Sequence, residues 1–191
     1  GSGGARWVVD PLDGTSAFTE GLAHWGPTIA RIVARPGGER VELGGLWLPR
    51  LGEHYHYEEG RGWFNGAPLT PLRRDATPRV LYLPSGFHRH YRVDFVGKTR
   101  CLGGTAAHLA LVARGSALAA IVAPGWSIWD TAVGISLIES VGGRALRIPD
   151  QSPLDTFRDT GVAFVAGEPG AVEELVSQGR VASLSIGERH G

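Results

Sequence analysis

The chain has 191 residues, 42% of them apolar and 20% charged, with 19 basic and 19 acidic side chains and a formal net charge of zero. That is the balance of an ordinary globular protein. It excludes a broad basic footprint for a nucleic-acid polymer, and no apolar run approaches the roughly 18 residues that cross a bilayer.

Cys101 is the only cysteine, so no intrachain disulfide forms and a reducing, cytoplasmic setting is expected. The opening Gly1-Ser2-Gly3-Gly4 has neither the basic start nor the apolar core of a secretory leader. The chain holds no methionine, so Gly1 is expected to follow a cut or a trimming.

Taken in chain order, residues 6–10 predict a strand running into a tight turn at 10–14, with a short helix over 15–20. Runs at 28–35, 41–49 and 53–57, rich in β-formers and divided by Gly and Pro, predict antiparallel strands of one sheet. Residues 60–66 predict a hairpin closure with Asn65-Gly66 at its tip. The charged, proline-containing stretch 70–79 reads as a linker, and two lobes are expected, over 1–74 and 75–191. In the second, strands are predicted at 80–84, 94–96, 118–122 and 162–166. Helices are predicted at 105–114, from its helical periodicity, at 131–141 (amphipathic, and closed by Gly142-Gly143) and at 171–177. A sheet-rich half followed by alternating helices and strands predicts an α/β fold, an α+β layered sandwich. It would comprise an antiparallel sheet lobe and a mixed-sheet α/β lobe.

Three short segments carry the chemistry. In Asp10-Pro11-Leu12-Asp13-Gly14-Thr15, the proline fixes a turn that lets two carboxylates converge. Gly14 permits close approach of a ligand, and Thr15 opens a helix whose free N–H groups favour an anion. Two carboxylates beside an anion site suit Mg²⁺ bridging to phosphate; a solvated Asp-Pro turn is the plainer alternative. Asp130, in Trp129-Asp130-Thr131-Ala132-Val133-Gly134, reads either as a helix N-cap or as a third carboxylate at the same metals. Gly103-Gly104-Thr105-Ala106 joins a strand to a helix and presents a second helix N-terminus.

Together the three segments closely resemble the inositol monophosphatase family, whose signatures are Asp-Pro-x-Asp-Gly-Thr, Gly-Thr-Ala and Trp-Asp-x-Ala-x-Gly, in this order and at roughly this spacing. Residues 60–66 also match a recurrent hairpin of that family, and the resemblance runs from Trp7 to about Val176. It implies a lithium-sensitive phosphoric monoester hydrolase in which metal-activated water attacks phosphorus directly, with no phosphoenzyme. Asp10, Asp13, Asp130 and the Leu12 carbonyl would hold Mg²⁺, with Asp13 and Thr15 catalytic. Gly14, Thr15 and Ser16 would hold phosphate, and Gly104, Thr105 and Ala106 would line the substrate. The ligand would be a small phosphate ester such as inositol 1-phosphate or a related polyol or sugar phosphate, and the assembly a homodimer. Histidinol phosphate and nucleotide phosphates are alternatives, as is a non-catalytic ligand-binding relative. A haloacid-dehalogenase type of phosphatase would have one residue between its aspartates; here Pro11 and Leu12 both intervene.

Two departures shape the expectation. The family places a Glu-Glu pair some twenty residues before the Asp-Pro motif, and this chain begins nine residues before Asp10. Residues 1–191 alone are therefore expected to turn over poorly. The family's Glu seven residues before the Trp-Asp aspartate, which meets substrate hydroxyls, is Ala123 here. Trp126 is the expected substrate wall beside it. His54 and His56 read as an exposed strand face, His88 and His90 as a surface loop, and His108 as a helix residue facing pocket or core.

Overall fold

The computed structural model describes residues 4–183. Its first half is a six-stranded antiparallel sheet in simple sequence order. The strands are β1 (Arg6–Asp13), β2 (Gly26–Arg35), β3 (Gly38–Leu48), β4 (Glu53–Glu58), β5 (Arg61–Phe64) and β6 (Ala67–Pro68), with helix α1 (Thr15–Thr19) between the first two. Alternation sends Ala30, Ile32, Leu46, Leu48 and Tyr55 into the core. It leaves Trp7, Val9, Ile29 and Trp47 exposed.

The second half contributes β7 (Val80–Tyr82), a 3₁₀ turn (Phe87–Arg89), β8 (Tyr91–Val93), β9 (Lys98–Arg100), α2 (Thr105–Ala113), β10 (Ala119–Val122), α3 (Ile128–Ser140), β11 (Arg144–Arg147), β12 (Phe164–Gly167), α4 (Pro169–Val176) and β13 (Val181–Ser183). Five of these strands form a sheet in the order β11-β12-β10-β7-β9. Its β7 pairs in parallel with β10 and β9, whereas β12 pairs antiparallel with β10 and β11. The sheet is therefore mixed, as expected.

Helices α2 and α3 pack on each other and lie between the two sheets, while α4 covers β11 and β12 from the other side. One core cluster joins Ile32, Val41 and Leu46 of the first half to Leu109, Val133, Ile138 and Ala166 of the second.

The burial within these helices corrects the expectation that the helix after Asp130 is amphipathic. In α2 every residue from Ala106 to Ala113 is buried, and in α3 every residue from Thr131 to Ile138. A helix sandwiched between sheets needs apolar surface all round. The strand expected at 94–96 lies instead at Tyr91–Val93, paired with β13. The short strands β9 and β11 gave no run long enough to read.

Candidate metal centre

The acidic loop is shaped by an irregularity of β1. Val9 faces Ile29 and Asp10 faces Thr28, but the next pairing is Asp13 with Gly26. Three steps along β1 thus answer two along β2, which is a bulge. In a regular strand, residues three apart point to opposite faces; one extra residue restores them to the same side. Asp10 and Asp13 can then converge. Within the turn, Leu12 N–H donates to Asp10 Oδ1 at 2.8 Å and the Thr15 hydroxyl to the Leu12 carbonyl at 3.2 Å. Gly14 sits at φ 82°, in the left-handed region that favours glycine. The Ser16 hydroxyl donates to Glu20 at 2.7 Å.

Asp13, 5% exposed, accepts hydrogen bonds from the N–H groups of Thr105 at 3.2 Å and Ala106 at 3.0 Å. The free N–H groups at the start of α2, read in the sequence as a substrate surface, are here turned on a carboxylate of the chain itself. Gly104 permits that approach: a Cβ there would stand 2.2 Å from Asp13 Oδ2. Its N–H donates to the His24 carbonyl at 2.9 Å.

Asp130 lies in the first turn of α3, not ahead of it. The N-cap is Ser127, whose N–H donates to Asp130 Oδ2 at 2.7 Å in a capping box. The Thr28 hydroxyl holds the Trp129 carbonyl at 2.7 Å, tying this turn to β2. Carboxylate oxygens of Asp10, Asp13 and Asp130 lie within 4.8 Å of one another, forming the one such cluster among the described residues.

The other expected residues are placed differently. Trp126 is 6% exposed, donates its indole N–H to the Val162 carbonyl at 2.7 Å and packs edge-on against Phe164. Its ring therefore belongs to the core. The tryptophan open to solvent near the cluster is Trp129. Ala123 follows β10 directly and is partly exposed.

Of the layer beneath the loop, sequence reasoning placed only His108, as facing pocket or core. His108 is buried and stacked on Tyr82, and its Nε2 accepts the Leu102 N–H at 2.9 Å. Burial, with His24 nearby, lowers its pKa to about 4, so the ring is neutral and Nδ1 carries its proton. Arg114 donates to Glu53 at 2.6 Å and lies over the Phe64 ring. A single histidine inside an otherwise apolar helix was a readable signal; the Glu53–Arg114 pair, far apart in the chain, was not.

Burial raises the pKa of Asp13 to about 7, and the charges of Asp130 and Asp10 add to this, against the opposing N–H bonds from Ala106 and Ala107. Asp130 is raised as well, first by burial and then by Asp10. Three like charges held this close disfavour their own ionisation. A hard divalent cation with oxygen preference relieves that repulsion, so the donor set fits such an ion.

The fold is a layered α/β sandwich with an acidic cluster, suited to a metal ion, set between a bulged strand and two helix starts. The chain belongs to the inositol monophosphatase family, whose model matches residues 1–183. It is 32% identical to a histidinol-phosphatase of Streptomyces coelicolor over 75% of this chain and 59% of that protein. Identity to a histidinol-phosphatase of Chlorobaculum parvum is 34%, over 73% of this chain and 56% of that one. For an inositol-1-monophosphatase of Mesorhizobium japonicum it is 33%, over 72% and 55%. The chain thus spans between 55% and 59% of the length of these three relatives. Among solved structures, the Thermotoga maritima IMPase superposes with a TM-score of 0.71 at 25% identity, over 93% of this chain and 70% of that one. The extragenic suppressor protein suhB of Bartonella henselae shares the fold with a TM-score of 0.74 at 24% identity, over 91% and 71%.

Proposed function

We propose that the chain is the metal- and phosphate-binding part of a Mg²⁺-dependent phosphatase for a small phosphate monoester. The observation that carries this reading is the convergence of Asp10, Asp13 and Asp130, with Asp13 fixed by the start of α2. These three carboxylates, with the Leu12 carbonyl, would hold the cation. When bound, it would lower the pKa of water and neutralise charge on the phosphate. Asp13 and Thr15 orient the loop beside the reacting group. Gly14, Thr15 and Ser16 form the turn on which the phosphate would sit. Gly104, Thr105 and Ala106 keep Asp13 in place, and their side of the loop would face the substrate. Positioning and charge neutralisation then supply most of the acceleration.

A preference for histidinol phosphate over inositol phosphate is favoured by Ala123, which cannot accept from a polyol hydroxyl, and by the names of two of the relatives. The decisive measurement is Mg²⁺-dependent release of phosphate from histidinol phosphate, inositol 1-phosphate and a nucleotide monophosphate. No release from any of them, with Mg²⁺ binding intact, would favour a non-catalytic ligand-binding relative. Among the described residues no fourth carboxylate joins the cluster. The rate of this chain by itself is accordingly expected to fall short by about 10²–10⁴-fold, the usual contribution of a positioned general base.

Three further readings belong with this proposal. The exposed Trp7, Val9, Ile29 and Trp47 give the first sheet an apolar outer face suited to a homodimer. A single cysteine suits a cytoplasmic setting. The lobes divide near residue 74. Among the described residues no helix is long and apolar enough to cross a membrane.

A further inference from the structure

The helix that seats Asp13 has no cap of its own. Gly104 stands at the N-cap of α2 and offers no side chain to the first turn. The N–H groups of Thr105 and Ala106 are turned on Asp13. Whatever fixes the start of this helix therefore fixes the carboxylate as well. Two contacts hold that start from behind. The Gly104 N–H donates to the His24 carbonyl at 2.9 Å, and Gly103 and His24 form a parallel bridge beside it. The Leu102 N–H donates to His108 Nε2 at 2.9 Å.

The second contact comes from a side chain of the helix itself. His108 is the fourth residue of α2 and reaches back over the first turn to the connection that precedes it. Every other residue from Ala106 to Ala113 is apolar. A ring with two polar nitrogens, 2% exposed in such a helix, is costly unless it is bonded. Its partner is a backbone N–H just beyond the end of β9 at Arg100, where the strand ladder no longer supplies an acceptor. Removing the imidazole would leave that donor without an acceptor in the chain. The ring plane is fixed too. Tyr82 of β7 lies flat on it, with centroids 5.0 Å apart and planes 5° from parallel. The stack sets the plane and the bond sets the rotation, so Nε2 stays aimed at Leu102.

We infer that His108 is a positioning residue of the metal centre. Through Leu102, Gly103 and Gly104 it sets the start of α2, and through the Thr105 and Ala106 N–H groups it sets Asp13. The inference rests on reading the acidic cluster as a divalent-cation site. His108 meets neither cation nor substrate; it acts as the outer partners of metal ligands do, whose loss weakens metal binding about tenfold or more.

Two substitutions separate the bond from the bulk. His108→Gln keeps an acceptor for Leu102. His108→Phe keeps a ring to stack on Tyr82 but has no acceptor. Val172→Ala, in the second core cluster with Leu175 of α4, lowers stability away from the site and serves as the control. Each variant is read twice: by calorimetric titration with Mg²⁺, and by amide hydrogen exchange without metal. His108→Phe is expected to weaken Mg²⁺ about tenfold. It should also speed exchange at Leu102, Thr105 and Ala106 about tenfold relative to the core amides of α3. His108→Gln should restore both, and Val172→Ala should change neither. A parent chain that takes up no Mg²⁺ would end the cation reading, while the metal-free amides still decide the role of His108. Unchanged exchange at Thr105 and Ala106 in His108→Phe overturns the inference, as does faster exchange with the Mg²⁺ affinity of the parent. Equal losses in His108→Phe and His108→Gln, or in His108→Phe and Val172→Ala, overturn it equally, because volume or bulk stability would then account for them.

Discussion

The Asp13 carboxylate and the Ala106 N–H meet at 3.0 Å, across a gap of 93 positions in the chain. That bond makes the start of α2 the support for the acidic cluster. It also turns the free N–H groups at the start of α2 onto a carboxylate of the cluster. Asp13→Asn keeps the shape and one acceptor but removes the charge. Phosphate release should fall by about 10²-fold or more, and the thermal stabilisation by Mg²⁺ should vanish. Retained Mg²⁺ stabilisation in this variant would remove Asp13 from the ligand set.

A pH signature follows from the same carboxylate. Its pKa is about 7 in the folded chain and near 4 in an unfolded one. Between these values the folded state binds more protons, so without divalent cation stability falls as pH rises from about 4 to 7. The loss is roughly 4 kcal/mol at most. Chemical denaturation across that window should show it. Saturating Mg²⁺ should abolish it, and Asp13→Asn should flatten it without metal.

His108 predicts the opposite slope. Its pKa is about 4 folded and near 6.5 unfolded, so its contribution is full above 6.5 and is lost as pH falls toward 4. The loss is roughly 3 kcal/mol at most. His108→Gln keeps an acceptor for the Leu102 N–H and should remove this acid sensitivity. An unchanged acid limb in that variant would assign the sensitivity to another group.

Gly104→Ala tests the close approach between the two loops. The new methyl would need the space of Asp13 Oδ2, 2.2 Å away. Displacing the carboxylate should cost about 1–3 kcal/mol of stability and weaken Mg²⁺ together with it. Mg²⁺ affinity equal to the parent's would show that Asp13 does not need its seat on α2.

Much of this architecture was legible because it rests on local chemistry. The strands of the first sheet alternate, turns carry Gly or Asn, and the three motif segments hold their spacing. What was not legible depends on distant partners. Helices α2 and α3 carry no one-sided stripe because both faces are covered, so the run of α3 reads as amphipathic only by assumption. Asp130 looked like a cap ahead of its helix, but Ser127 caps and the helix starts earlier; ends are where pattern reading is weakest. Trp126 looked available because aromatic residues near a motif suggest a wall. Its N–H had a partner at Val162 that no local pattern reveals.

The extra residue between Asp10 and Asp13 also fixes how this site can change over evolutionary time. Within the turn the Leu12 side chain is open to exchange, since Leu12 takes part through its backbone N–H and carbonyl. The mismatch in length between the two strands is not. A residue added to β2 opposite the bulge would pair three steps with three, restore the regular pleat and send one aspartate to the far side of the sheet. Descendants of this loop should therefore keep the one-residue mismatch between β1 and β2 together with the two aspartates, while the residue at position 12 varies.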